Sequence, residues 1–197
     1  MQAGKLFMQH GVKSVSMGEI ASELGMSKRT IYQHFPDKEE ILICFLDYYE
    51  QHRVEGLNQA LKTYPTITDV FLYALEKEKT QTMISSYNIK FQEDIEKYFP
   101  KTQKKIDEYR DKRIIATKKV LKTGIEQGVI RADLNFEVTA FLLQNMSNTY
   151  VYALRMATRT FSIWDLFSEM VINFIRGIST EKGIKIVDEY LQKQAEN

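Results

Sequence analysis

The chain has 197 residues, 44% hydrophobic and 27% charged, with a formal net charge of +1, 3 Pro, 9 Gly and 1 Cys. So few breakers among long runs of helix-forming residues predict an all-α protein, either one compact unit or a small head on a larger body. No run approaches the roughly 18 apolar residues of a membrane span, Met1–His10 lacks the apolar stretch of a signal peptide, and the single cysteine rules out an intrachain disulfide, so the expected compartment is the cytoplasm.

In chain order, Met1–His10 reads as a helix anchored by Leu6 and Phe7, with Gly11 just past its end. Ser16-Met17-Gly18-Glu19 fits the S-x-x-E capping box, opening a helix to about Leu24 with Ile20, Ala21 and Leu24 on one face. Gly25-Met26 is a turn. Ser27 then caps a second short helix, Lys28 to about His34, with Ile31 and Phe35 facing inward. Pro36-Asp37 ends it, and Asp37 is placed to cap a long helix from Lys38, in which Ile41, Leu42, Phe45, Leu46, Tyr49, Leu57 and Leu61 recur at helical spacing. Within that helix Cys44 is expected to be a small core residue.

Tyr64-Pro65 stops the long helix, and Thr66 or Thr68 starts another through Val70, Phe71 and Leu75. A segment from about Ser85 to Tyr98 follows. Pro100 punctuates, a long helix then runs to about Gln127, and Gly128–Arg131 forms a turn. Two strongly apolar helices, about Phe136–Ala157 and Ile163–Gly177, precede a last amphipathic one, about Thr180–Gln194. Nothing reads as a strand pair.

Two short capped helices, a glycine turn, and a second helix opening on Lys28-Arg29-Thr30 form the pattern of a helix-turn-helix DNA reader. A recognition helix enters the major groove by its N-terminal end, where free N–H groups and the positive end of the helix dipole favour phosphate. Arg29 can hold guanine bidentately, Thr30 and Gln33 can reach base edges, and Tyr32, His34 and Lys38 can donate to phosphate. The competing reading is an ordinary pair of helices with a solvated Lys-Arg surface. Within residues 1–46 the five basic residues (Lys5, Lys13, Lys28, Arg29, Lys38) balance Glu19, Glu23, Asp37, Glu39 and Glu40, so any DNA binding here depends on placed charges, not bulk charge.

The stretch Ser16–Leu42 resembles the signature of the TetR/AcrR family of bacterial repressors. Its pairs Ser27-Lys28, Ile31-Tyr32, His34-Phe35 and Lys38-Glu39 fall where the family has S-K, L-Y, H/Y-F and K-E. Gly124–Leu134 resembles the family's loop before its last two large helices. The resemblance implies a helix-turn-helix DNA-binding domain over 1–45 and a helical effector-binding and dimerisation domain over 46–197. It implies phosphate contacts from Ser16, Lys28, Tyr32, His34 and Lys38 and base contacts from Arg29, Thr30 and Gln33, with Ser27, the cap of the second helix, counted among the DNA-binding residues. Arg29 departs from the small residue common there, which leaves it open between base and phosphate. The family's first helix is longer, with residues ahead of Met1, so contacts from that part are unassigned.

A lone recognition helix covers too few base pairs for tight binding, and a two-fold dimer reading a palindromic operator answers that need. Trp164, Phe167, Met170, Val171 and Phe174 on one helix, and Leu142, Leu143, Met146, Tyr150 and Leu154 on the preceding one, cover more than one face. This fits a homodimer interface, against the alternative of a monomer with both helices interior; Trp164 reads as packing. Family members enclose a small apolar or amphipathic effector. Candidates for such a lining are Phe71, Tyr87, Phe91, Tyr109, Phe141, Gln144, Asn145 and Asn148, with core packing, water or a neighbouring subunit as the alternative partners of the polar ones. The basic run Lys101–Lys122 reads as a solvated face ahead of a second nucleic-acid site.

No H-E-x-x-H, Cys/His cluster, Walker loop or G-x-S-x-G is present, so neither an enzyme nor a metal or cofactor is expected. The alternative function is a small-molecule-binding or protein-interaction module that no longer binds DNA.

Overall fold

A computed structural model describes residues 1–80, 89–155 and 162–196, without the side chains of 78–80, 147–155 and 163. Over the described residues the order is α1 (Gln2–His10), α2 (Met17–Glu23), α3 (Lys28–His34), α4 (Lys38–Thr63), α5 (Ile67–Thr80), α6 (Ile89–Tyr98), α7 (Pro100–Glu126), α8 (Phe136–Arg155), α9 (Ile163–Ile178) and α10 (Glu181–Ala195). The expected start of α6 at Ser85 lies outside the described residues.

Met1–Glu55 with Met83–Tyr109 form one compact unit, and Gly56–Thr82 with Arg110–Asn197 form the other. The first unit runs past residue 45. Ile95 and Phe99, on and just after α6, are buried in the same cluster as Phe7, Val12, Ile20, Ile31, Leu42 and Phe45. Phe7, Ile20 and Leu42 are fully enclosed, and burial of side chains this size stabilises by about 1.5–3 kcal/mol each. The start of α7 is held by α4: the Glu39 carboxylate accepts from the Thr102 backbone N–H at 3.0 Å, satisfying one of the orphan donors of that helix end. Cys44 is exposed, contrary to its expected place in the core. Ile41, Leu42 and Phe45 fix the inward stripe of α4, and at about 100° per residue Cys44 falls beside it.

In the second unit, Leu72, Leu75, Ile172, Ile175 and Val187 make one cluster, and Leu121, Val129, Ile130, Ala140 and Ile178 another. The loop after α7 turns at Gly128, φ 71°, and then meets the chain between α9 and α10. Ile130 and Ser179 form an isolated antiparallel bridge, with Arg131 N–H donating to Ile178 O at 2.9 Å and Thr180 N–H to Val129 O at 3.0 Å. The Arg131 guanidinium reaches both oxygens of Asp133 and the Gly177 carbonyl, each at 2.9 Å. The sequence marks the turn but not the bridge, because a one-residue pairing has no alternating pattern to read.

Candidate nucleic-acid interface

The first unit builds the helix-turn-helix from local chemistry. Gly11, at φ 84°, ends α1 and takes the N–H to Phe7 O bond at 2.9 Å. Ser16 caps α2: its hydroxyl accepts from Glu19 N–H at 3.2 Å, and the Glu19 carboxylate accepts from Ser16 N–H at 2.7 Å. Those bonds hold the Glu19 carboxyl below its ordinary 4.5. Gly25, at φ 62°, makes the turn. The Ser27 hydroxyl accepts from Thr30 N–H at 3.0 Å to start α3.

On α3 only Ile31 is buried. Lys28, Arg29, Tyr32, Gln33 and His34 are all exposed, as are Ser16 and Ser27. The Lys28 ammonium lies 5.9 Å from the centre of the Tyr32 ring, so the cation and the phenol share one side of the helix. Thr30 is half-buried, and its hydroxyl lies 2.8 Å from that of Ser27, which commits it to the cap.

Lys38 stands differently from the other candidates. Its Nζ donates to the carbonyls of Val12 at 2.8 Å, Lys13 at 3.0 Å and Val15 at 3.0 Å. An ammonium has three donors, so all are used inside the protein. Burial pulls its pKa below the usual 10.5, partly offset by the charges of Asp94 and Glu19. The sequence marks Lys38 as the start of α4 but carries no signal for these partners, which lie more than twenty residues earlier in the chain.

The residues considered for an effector lining divide between the units. Phe91 packs on the first unit's core, and the Tyr109 hydroxyl donates to Asp47 there. Phe71 packs among the second unit's clusters. Gln144 donates to Thr117 Oγ1 at 2.6 Å, Asn145 donates to the Phe141 carbonyl at 2.8 Å, and Phe141 itself is 54% exposed. Tyr87 and the side chain of Asn148 lie outside the described residues, as do those of Tyr150 and Leu154. An open groove on the first unit is lined by Leu6, His10, Ser14, Glu19, Glu23 and Lys90 among others, and by none of the expected effector residues. Of the α9 candidates, Trp164, Phe167 and Val171 pack on the cluster around Ile175, Phe174 on that around Ile178, and Met170 is half-buried. Among the described residues no group of His, Cys, Asp and Glu could hold a metal ion, and no helix is long and apolar enough to cross a membrane.

Residues 2–43, which span α1 to the start of α4, match the family model of bacterial regulatory proteins, tetR family. Residues 2–43 are a tetR-family segment. The chain's similarity to curated relatives concentrates in the same stretch. It is 38% identical over 61 residues to the HTH-type transcriptional activator FasR of Mycolicibacterium smegmatis, 31% of this chain but 28% of the activator's length. With the HTH-type transcriptional regulator YerO of Bacillus subtilis it shares 23% identity over 84% of its length and 68% of that protein. Beyond that segment the likeness is one of fold, shared with solved transcriptional regulators over most of the chain. A transcriptional regulator from Saccharomonospora viridis in complex with choline aligns over 91% of this chain and 95% of its own, with a TM-score of 0.76 at 23% identity. FadR from Bacillus subtilis in complex with stearoyl-CoA aligns over 90% and 96%, with a TM-score of 0.71 at 19% identity. The family and these relatives are regulators of transcription, not enzymes.

Proposed function

We propose that this chain is a full member of the TetR family, a cytoplasmic, homodimeric repressor that binds operator DNA through α3 and leaves it when a small apolar or amphipathic effector binds. The observation that carries the reading is the exposed side of α3. Lys28, Arg29, Tyr32, Gln33 and His34 face solvent on a helix anchored by the one buried residue Ile31. In this reading Lys28, Tyr32, His34 and Ser16 hold phosphates, and Arg29 and Gln33 reach base edges. Thr30 serves the cap more than the groove.

Pairing is supported by α8, where Val138, Phe141 and Leu142 are 51%, 54% and 46% exposed on one stripe. A second copy covering that stripe gives the two-fold arrangement a palindromic operator needs. Phe141 belongs to this surface in preference to an effector lining. An effector role is supported by the choline and stearoyl-CoA bound to two proteins of the same fold. The effector acts only through different affinities for the DNA-bound and free arrangements.

The test is a gel-shift titration on duplexes covering the DNA upstream of the chain's own gene. Sequence-selective, salt-sensitive retardation is expected. Retardation equal on all duplexes, or none, would refute the regulator.

A further inference from the structure

We propose that Lys38 and Asp94 are positioning residues for DNA binding: together they fix the loop Val12–Val15 that sets the start of α2, and neither touches DNA. The inference rests on the DNA-binding reading above.

The loop is gripped from two sides within the first unit. From α4, one ammonium gathers the carbonyls of Val12, Lys13 and Val15 and lies 5.7 Å from the centre of the Phe99 ring. From α6, the Asp94 carboxylate, 5% exposed, accepts from the Lys13 backbone N–H at 2.7 Å. The backbone passes close to that carboxylate because Gly11 has no side chain; a Cβ there would lie 2.8 Å from Asp94 Oδ2. Val12 and Val15 are buried, so the loop cannot turn over to offer its carbonyls to water.

The next residue is Ser16, whose N–H and hydroxyl form both halves of the α2 capping box. Fixing the Val15 carbonyl therefore fixes the point at which α2 begins and the direction in which Ser16 faces. A Lys38 swung out to phosphate would strand carbonyls between buried valines, which is costly. An exposed lysine such as Lys28 gives up nothing comparable.

The experiment uses the full chain and the tightest duplex that the wild type recovers from a random-sequence DNA pool. Failure to recover any duplex overturns the DNA-binding reading, and this proposal with it, before a variant is made. Affinity is measured against salt, with the active fraction fixed by stoichiometric titration. Lys38→Met is expected to weaken binding about tenfold, with the slope of log affinity on log salt unchanged. Asp94→Ala is expected to weaken it too, although it removes a negative charge. Asp94→Asn, whose amide oxygen can still accept from Lys13 N–H, is expected to stay within about threefold of wild type. A slope lower by about 0.9 in Lys38→Met marks a lost phosphate contact and overturns the proposal. So does Asp94→Ala binding as tightly as wild type, or more tightly. If Lys38→Met does not fold, the Asp94 pair decides alone.

Discussion

Gly4 on α1 lies directly under the Phe45 ring of α4: a Cβ built on Gly4 would sit 2.1 Å from the nearest ring carbon. Both residues are buried, so helix and ring close on each other with no intervening side chain. On propensity alone Gly4→Ala would stabilise α1 by about 1 kcal/mol. The contact reverses the sign, because overpacking a closed core costs about 1–3 kcal/mol. The expected result is a lower melting temperature for Gly4→Ala, recovered in part by adding Phe45→Leu. A melting temperature at or above wild type for the single variant would show that the ring can move aside.

The second unit offers a sharper pair of glycines. A Cβ on Gly183 would lie 2.3 Å from the Val129 carbonyl oxygen, which the bridge to Thr180 holds in place. Backbone cannot rotate away as a ring can, so Gly183→Ala should cost more than Gly4→Ala, about 2–3 kcal/mol. Gly177, near the end of α9, meets nothing within 4 Å. There the lost flexibility of the unfolded chain dominates, and Gly177→Ala should stabilise by about 0.4–1 kcal/mol. Urea unfolding of both variants checks the opposite signs.

These two positions mark the limit of what the sequence carried. The caps at Ser16 and Ser27, the turn at Gly25 and the exit at Gly11 were legible, because each depends on residues within four positions of one another. Gly4 against Phe45, Gly183 against Val129, and Lys38 against Val12 depend on contacts between distant segments, which no local pattern encodes. The exposure of Lys28, Arg29, Tyr32, Gln33 and His34 is legible for the same local reason, since Ile31 is the one buried residue of α3, whereas the half-buried Thr30 turns to the Ser27 cap. Cys44 departs from its expected place in the core because a helix buries only a stripe of an apolar run.

Glu19 gives the α2 cap a pH dependence of known sign. The two bonds with Ser16 hold its carboxyl below 4.5 in the folded chain. A depressed carboxyl contributes its stability above the unfolded value and loses it as pH falls through the folded one. Wild type should therefore lose more stability between pH 6 and roughly pH 3.5 than Glu19→Gln, which does not titrate there. Denaturation series on both chains read the difference, and parallel curves would mean the cap does not form in solution.

Lys28 and Gln33 share α3 but should fail differently. Lys28→Ala should weaken binding on every duplex and lower the salt slope by about 0.9, the loss of one phosphate contact. Gln33→Ala should leave the slope alone and change which base is preferred at one position of each half-site, by about 1–3 kcal/mol. Salt titrations of binding together with selection from random duplexes separate the two. Identical behaviour of the variants would remove the distinction between phosphate and base contacts on this helix.

The stripe on α8 makes the assembly testable without DNA. Val138, Phe141 and Leu142 recur at i, i+3 and i+4, so they share one face, and about half of each side chain lies open. A glutamate in the middle of that face would have to be desolvated on pairing, whereas in a monomer it would stay in water. Phe141→Glu should therefore leave the helical signal and melting of the separate chain nearly intact while shifting sedimentation from dimer to monomer. It should also weaken operator binding far more than its distance in sequence from α3 suggests, since two half-sites bound independently lose the gain in effective concentration. A variant that sediments as wild type would assign the stripe to some other covering and remove the support it gives to pairing.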